Sequence, residues 1–226
     1  MLRRHVLAAI GLLVSADVLN AQTPPNPTPA ATEQPAVQET MEEPQVGDHW
    51  TYEIRDEITG DLKSTITHTV TDVSATEIGI RLESLGKPGY GYQTYDRSWD
   101  MINNGIWRST PNDGMGVRAP LAVGKSWPIK STAFNSSNGV SLKVSGTSKV
   151  TGKETVTTRA GTFEVYKIES SLESRNVNDT TKKYLDEQQT WYAPAVNHWV
   201  KRVSVSKSEG RVRNRSAVEL VEYGRR

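Results

Sequence analysis

The sequence predicts an all-β domain built as an antiparallel meander, curved strongly enough to form a half-barrel or a barrel. Three observations predict it. Apolar residues recur at every second position in one segment after another, no window sustains a helical period, and turn residues separate the segments at short, regular intervals. The many Thr and Ser residues suit the open face of such a sheet, so a chain that is only 35% hydrophobic still holds enough apolar area for one core.

The first segment places Trp50, Tyr52 and Ile54 on one face, behind the turn Val46-Gly47-Asp48. Thr59-Gly60-Asp61 forms a turn, after which Ile66, His68 and Val70 share a face and Thr65, Thr67, Thr69 and Thr71 take the other. Ile78, Ile80 and Leu82 give a third half-buried strand. Gly86 to Gly91 interrupts the chain, and a hairpin follows with strands from Tyr92 to Ile102 and from Ile106 to Ser109. Its Asn104-Gly105 pair favours a type I′ turn with Ile102 opposite Trp107. Thr110 to Pro120 reads as a surface loop. Further strands are expected over Trp127 to Phe134, Val140 to Val150, Glu154 to Thr158, Thr162 to Ser170, Lys183 to Tyr192, Trp199 to Ser206 and Val212 to Tyr223. Val123-Gly124-x-x-Trp127 repeats the pattern Val46-Gly47-x-x-Trp50, which suggests two similar halves, 46–110 and 120–223, inside a single domain, 46–223.

Two segments precede that domain. Residues 1–21 have a basic start (Arg3, Arg4), an apolar run from Val6 to Val14 and a small residue, Ala21, at a cleavage position, the features of a secretory signal. The run is shorter than the ~20 residues a bilayer span needs, so no transmembrane anchor is expected after cleavage. Residues 22–45, with Pro24, Pro25, Pro27, Pro29, Pro35 and Pro44, read as an extended linker. Export implies a periplasmic or secreted protein. The chain has no cysteine, which excludes disulfides, thiolate chemistry and a lipidated N-terminal Cys. A net charge of +1 and export both argue against nucleic acid as a partner.

Ala160-Gly161-Thr162-Phe163-Glu164-Val165-Tyr166-Lys167-Ile168, then Trp191-Tyr192-x-Pro194-x-Val196 with Val200-Lys201, resembles the TapB-like family, bacterial envelope domains of unknown function. Pro120-Leu121-x-Val123-Gly124-Lys125-Ser126-Trp127 is similar to theirs as well. The resemblance spans most of Val46 to Tyr223 and implies an exported β-domain without catalytic residues to carry over. Asn197-His198-Trp199 departs from it, where a plainer turn with glycine is expected.

The chemistry-bearing residues are few. His49, His68 and His198 have no partners at metal-ligand spacing, so no metal or cofactor is expected. Asp186 and Glu187 are adjacent in a strand and point to opposite faces, which is wrong for a shared acid and base, and no nucleophile elbow or phosphate loop occurs. An enzyme is therefore not expected. Tyr92, Tyr95, Trp99 and Trp107 gather around one hairpin as candidate ligand-binding residues, although the parity of Tyr92 against Tyr95 and Trp99 divides them between faces and favours core packing for some. Arg211, Arg213 and Arg215 alternate on one face, as anion contacts for lipid headgroups or as a charged guard on a sheet edge. The function expected is non-catalytic binding of an apolar, lipid-like ligand or an envelope protein. A carbohydrate-binding module that uses exposed aromatics is the alternative.

Overall fold

A computed structural model of the chain describes residues 41–225; the expected signal and nearly all of the expected linker lie outside the described residues. Twelve strands follow one another: β1 (His49–Asp56), β2 (Leu62–Val73), β3 (Glu77–Ser84), β4 (Gly91–Asp96), β5 (Met101–Asn103), β6 (Trp107–Asp113), β7 (Ser126–Asn135), β8 (Ser141–Thr158), β9 (Gly161–Asn176), β10 (Lys183–Ala193), β11 (His198–Ser208) and β12 (Arg211–Gly224). Each pairs antiparallel with its neighbours in sequence, and β1 pairs with β12, so the meander closes into a barrel. Among the described residues no helix is long and apolar enough to cross a membrane.

Register and alternation fix what faces inward. Tyr52 stands opposite both Ile66 and Leu220, and His68 opposite Leu82. Further round, Arg202 lies between Thr190 and Val218, and Ile168 between Val150 and Thr190. On this face Trp50, Tyr52, Val70, Ile78, Ile80, Tyr95 and Leu220 are buried, and their rings and branched side chains form the main core. A smaller cluster of Trp127, Val150 and Ile168 continues it. Burying one such side chain contributes roughly 1.5 to 3 kcal/mol.

The two Val-Gly-x-x-Trp segments make matching hydrogen bonds. Gly47 N donates to Val70 O at 2.9 Å and Val70 N to Asp48 O at 2.8 Å; Gly124 N donates to Val150 O and Val150 N to Lys125 O, both at 2.9 Å. Gly47 and Gly124 have φ of 96° and 91°, a left-handed backbone that only glycine adopts at little cost, which is why each entry turn carries one. Each turn then drops an indole into the core, Trp50 donating to Val196 O and Trp127 to Gly114 O, both at 3.0 Å.

Four local expectations are corrected. Ser141–Thr158 form one strand, since β8 runs on through a bulge between Val150 and Gly152 instead of ending at the glycine. The span from Tyr92 to Ile102 is two strands, because Asp96 Oδ1 accepts from Ser98 N and Asp100 N and bends the chain through Trp99 at φ 62°. The β5–β6 turn centres on Gly105-Ile106, with Gly105 at φ 89° and Asn104 N bonded to Trp107 O at 3.1 Å. Asn103 therefore pairs with Arg108, and Ile102 does not face Trp107. The expected loop from Thr110 begins as strand, β6 extending to Asp113.

The last residues of the expected linker are docked on the domain. Met41 is buried and its N–H donates to Ala195 O at 2.8 Å, while Arg225 reaches Glu43 O at 2.9 Å and Arg97 pairs with Glu43 at 2.7 Å.

Candidate functional site

The segment from Trp191 to Lys201 closes one end of the barrel. Pro194–Val196 makes a single 3-10 turn after β10, and Asn197 follows at φ 46°. Asparagine tolerates this left-handed backbone better than most side chains, so it stands where glycine was expected. Its Oδ1 accepts from Trp99 Nε1 at 3.1 Å and from Tyr192 OH at 2.6 Å, and its Nδ2 donates to Glu42 O at 2.8 Å. One amide thus ties the turn to the β4–β5 loop and to the N-terminal segment.

Beside it lies a buried polar group. His198 stacks on Trp50 with centroids 4.6 Å apart and meets Trp99 edge-on at 4.6 Å. Tyr52 OH donates to Trp199 O at 2.9 Å, which leaves its oxygen to accept from His198 Nδ1 at 2.5 Å. Burial first, then His68 and Arg202, hold the His198 imidazole well below its ordinary pKa. His68 is lowered to about 4 by burial and by Arg202, and its Nδ1 is shielded from water without a hydrogen-bond partner. Burial pushes Tyr95 up to about 12. The Arg202 guanidinium sits 3.8 Å from the Trp199 ring centroid, and its Nε donates to Thr190 Oγ1 at 3.2 Å. The cleft next to it, reached by Ser170, Gln188 and Tyr192, has a volume of about 20 Å³, about enough for one water molecule. Trp99, Tyr95 and Trp50 fill the remaining space, so this end of the interior is a packed core with polar links.

A loop covers that core. Asp100 is buried and accepts from Gly116 N at 2.6 Å and Gly114 N at 3.4 Å, with Arg118 at 3.4 Å. Burial and then Asp96 push its carboxyl up to about 6, against the pull of those donors. A Cβ on Gly116 would lie 2.1 Å from Ser98 O, so glycine is required for this close approach.

The candidate ligand residues are dispersed. Tyr95 and Trp99 are buried, Trp107 is half-buried, and Tyr92 is exposed beside Tyr90, with ring centroids 5.3 Å apart. The four do not form one surface. Arg211, Arg213 and Arg215 are all exposed. Because β12 pairs with β1 only from Ser216 onward, they lie on the part of β12 that projects past the end of β1, beside the equally long β11 and β10. Arg213 pairs with Glu209 at 2.8 Å and Arg215 with Glu57 at 3.2 Å. β12 is therefore no edge strand along most of its length. Asp186 and Glu187 do diverge, Asp186 to Ser206 Oγ and Glu187 to Lys207. Among the described residues no group of three His, Cys, Asp or Glu could hold a metal ion.

A different place offers room. A groove of about 550 Å³ crosses β8 to β12. One row of it is a chain of register partners, Thr147, Ser171, Glu187, Val205 and Arg215, one from each strand. A second row holds Glu169, Gln189 and Val203. Five adjacent strands make the band roughly 19 Å long. Its carboxylates and amide are held in place by neighbours: Gln189 Nε2 donates to Glu169 Oε1 at 3.3 Å, and Lys207 pairs with Glu187 at 2.9 Å. This row was not readable in the sequence because each strand supplies only one or two of its members. Summing residue numbers across each expected hairpin would have aligned them.

The fold and groove define a class: a single meander-barrel domain with a filled aromatic end and a polar band across its long strands. Comparison with known proteins places it further. Residues 127–210 match the model of a family described as DUF3108-like. No curated protein matches. Among solved structures, a candidate lipoprotein from Parabacteroides distasonis is similar at 15% identity over 82% of this chain and 99% of that one, with a TM-score of 0.50. A candidate exported protein with a YmcC-like fold from Bacteroides fragilis is similar at 14% identity over 83% of this chain and 100% of that one, also at 0.50. The hypothetical lipoprotein YmcC from Escherichia coli is similar at 10% identity over 78% of this chain and 85% of that one, at 0.48. The likenesses to the first two show a shared fold.

Proposed function

We propose that this chain is an exported, non-catalytic protein of the bacterial envelope that binds a glycan strand in the groove across β8 to β12. The observation that carries it is the registered band of Thr147, Ser171, Glu187, Glu169 and Gln189: hydroxyls, carboxylates and an amide at strand spacing, with Val203 and Val205 as a small apolar floor. Such a surface matches the alternating hydroxyls and ring faces of a saccharide better than an acyl chain. A lipid bound inside the barrel has no support, since Trp50, Tyr95 and Trp99 occupy the aromatic end and the remaining cleft is about 20 Å³. The signal-like N-terminus, the TapB-like motifs and the names of the similar structures, lipoprotein and exported protein, support an envelope location.

Titration calorimetry of the mature chain against soluble peptidoglycan fragments and envelope polysaccharides tests this reading. Binding is expected for at least one glycan, with loss on Glu187→Gln combined with Gln189→Ala at unchanged melting temperature. Absence of binding across both sets, or binding that survives the double substitution, contradicts it.

A further inference from the structure

In a meander closed this way, the turns β1–β2, β3–β4, β5–β6, β7–β8, β9–β10 and β11–β12 all fall at one end. Among the described residues fourteen large apolar side chains are exposed, and eleven of them sit in or beside these six turns. Every turn contributes at least one: Ile58, Tyr90, Ile106, Phe134, Leu185 and Val212. The other end exposes Val46, Met115 and Val123. Scattered apolar residues need no explanation, but a ring of them on all the tips of one end does.

Charge separates the same end from the rest. The six tip segments, 56–63, 83–92, 103–108, 134–143, 174–185 and 206–213, carry ten Lys and Arg against six Asp and Glu, in a chain whose total is +1. Between the β9–β10 and β11–β12 tips lies a cleft of about 420 Å³ lined by Lys182, Lys183, Lys207, Tyr184 and Leu185 with one acid, Glu209, and the lysines are held at its rim by exposed or half-exposed pairs with Asp179, Glu173 and Glu187. Basic and apolar groups meet there, in the arrangement that suits a phospholipid headgroup and the first carbons below it.

We propose that this end of the barrel docks on an anionic phospholipid surface, with the apolar tips entering the interface and the lysine-lined cleft receiving headgroup phosphates. Two facts select a membrane over other occupants. Residues 41–45 lie at the opposite end, where Met41 packs and bonds to Ala195, and no other described segment covers the tips. A second copy placed end to end would bring two positive rims together. The strand walls carry Thr, Lys and Glu on their outer face, for example Thr51, Lys149 and Glu164, which confines lipid contact to the end. This inference does not depend on the groove.

Co-sedimentation of the mature chain with vesicles of phosphatidylglycerol and phosphatidylethanolamine, against vesicles of phosphatidylcholine alone, tests it. Binding is expected to the first and to be far weaker to the second, falling as salt rises. Lys182→Glu with Lys183→Glu and Lys207→Glu should lower partitioning at least about a hundredfold, from about a fivefold loss for each of the three lysine charges. Tyr90→Ser with Ile106→Ser and Leu185→Ser should lower it at least tenfold, while Val46→Ser with Val123→Ser at the other end leaves it unchanged. All of these residues except the half-exposed Lys207 are exposed, and unchanged near-ultraviolet circular dichroism verifies the fold. Failure to bind anionic vesicles, equal loss from the opposite-end pair, or a dimer in sedimentation velocity that the tip substitutions dissolve overturns the proposal.

Discussion

The two ends of this barrel are built from different materials. At the end closed by Asn197, the interior is rings: Trp50, Tyr52, Trp99 and His198 are almost fully buried and joined by named hydrogen bonds. Toward the other end the same inward face of β8 to β11 becomes Ser148, Ser170, Gln188, Asp186 and Ser206, linked hydroxyl to hydroxyl (Ser148 to Ser170, 2.8 Å) and hydroxyl to carboxylate. Strands with that interior gain little from burial and stay partly exposed on both faces. The difference teaches where stability resides: the aromatic end holds the fold, which leaves the long strands and their tips free to carry recognition.

The sharpest way to break the comparison is Trp50→Ala. It leaves a cavity in the packed end and removes the bond to Val196 O, so a loss of about 3 to 5 kcal/mol is expected from urea unfolding. Ser204→Ala, on the inward face of the polar half, should change stability by no more than about 0.5 kcal/mol in the same assay.

Acid should also act through the aromatic end. The folded pKa of His68 is depressed to about 4 from 6.5, so its contribution to stability is present above pH 6.5 and is lost as pH falls through 4. His198 acts in the same direction. Asp100 opposes them: its raised pKa, about 6, makes its contribution fullest at low pH and diminishes it as pH rises through 6. Comparing wild type with His68→Gln cancels the Asp100 effect. Between pH 6.5 and 4 the wild type should lose about 3 kcal/mol more than the variant, read from urea midpoints.

A smaller effect is expected at the hinge of that end. Asn197→Gly keeps the left-handed backbone and loses only the side-chain bonds, whereas Asn197→Ala loses both. A loss of about 1 to 2 kcal/mol for the glycine variant and a larger one for alanine would separate the two roles. Equal losses would show that backbone strain does not matter there.

Much of this fold was legible. The limits of β7, β10, β11 and β12 lie within two residues of those expected, because period-two alternation in long strands is a strong signal, whereas β9 runs six residues past the expected end at Ser170, to Asn176. Gly152 was misread as a stop because a glycine inside a strand marks a bulge as readily as an end. Trp99 was assigned to a strand because nothing local announces that Asp96 will bend the chain there. The closure of β1 on β12 could not be read, since it joins residues some 170 positions apart, such as Trp50 and Tyr223, through register alone. The groove was hidden for the same reason. The burial of His198 against Trp50 follows the αL turn at Asn197, which no periodicity reveals.

Native-state amide hydrogen exchange on the chain tests this division most directly. Slowest exchange is predicted for His49 to Tyr52, Ile78 to Ile80 and Val196 to Val200, with the far ends of β10 to β12, from Lys183 to Glu187 and from Ser204 to Asn214, opening first. Uniform protection along β11 and β12, or slower exchange at their tips than at Trp50, would contradict it.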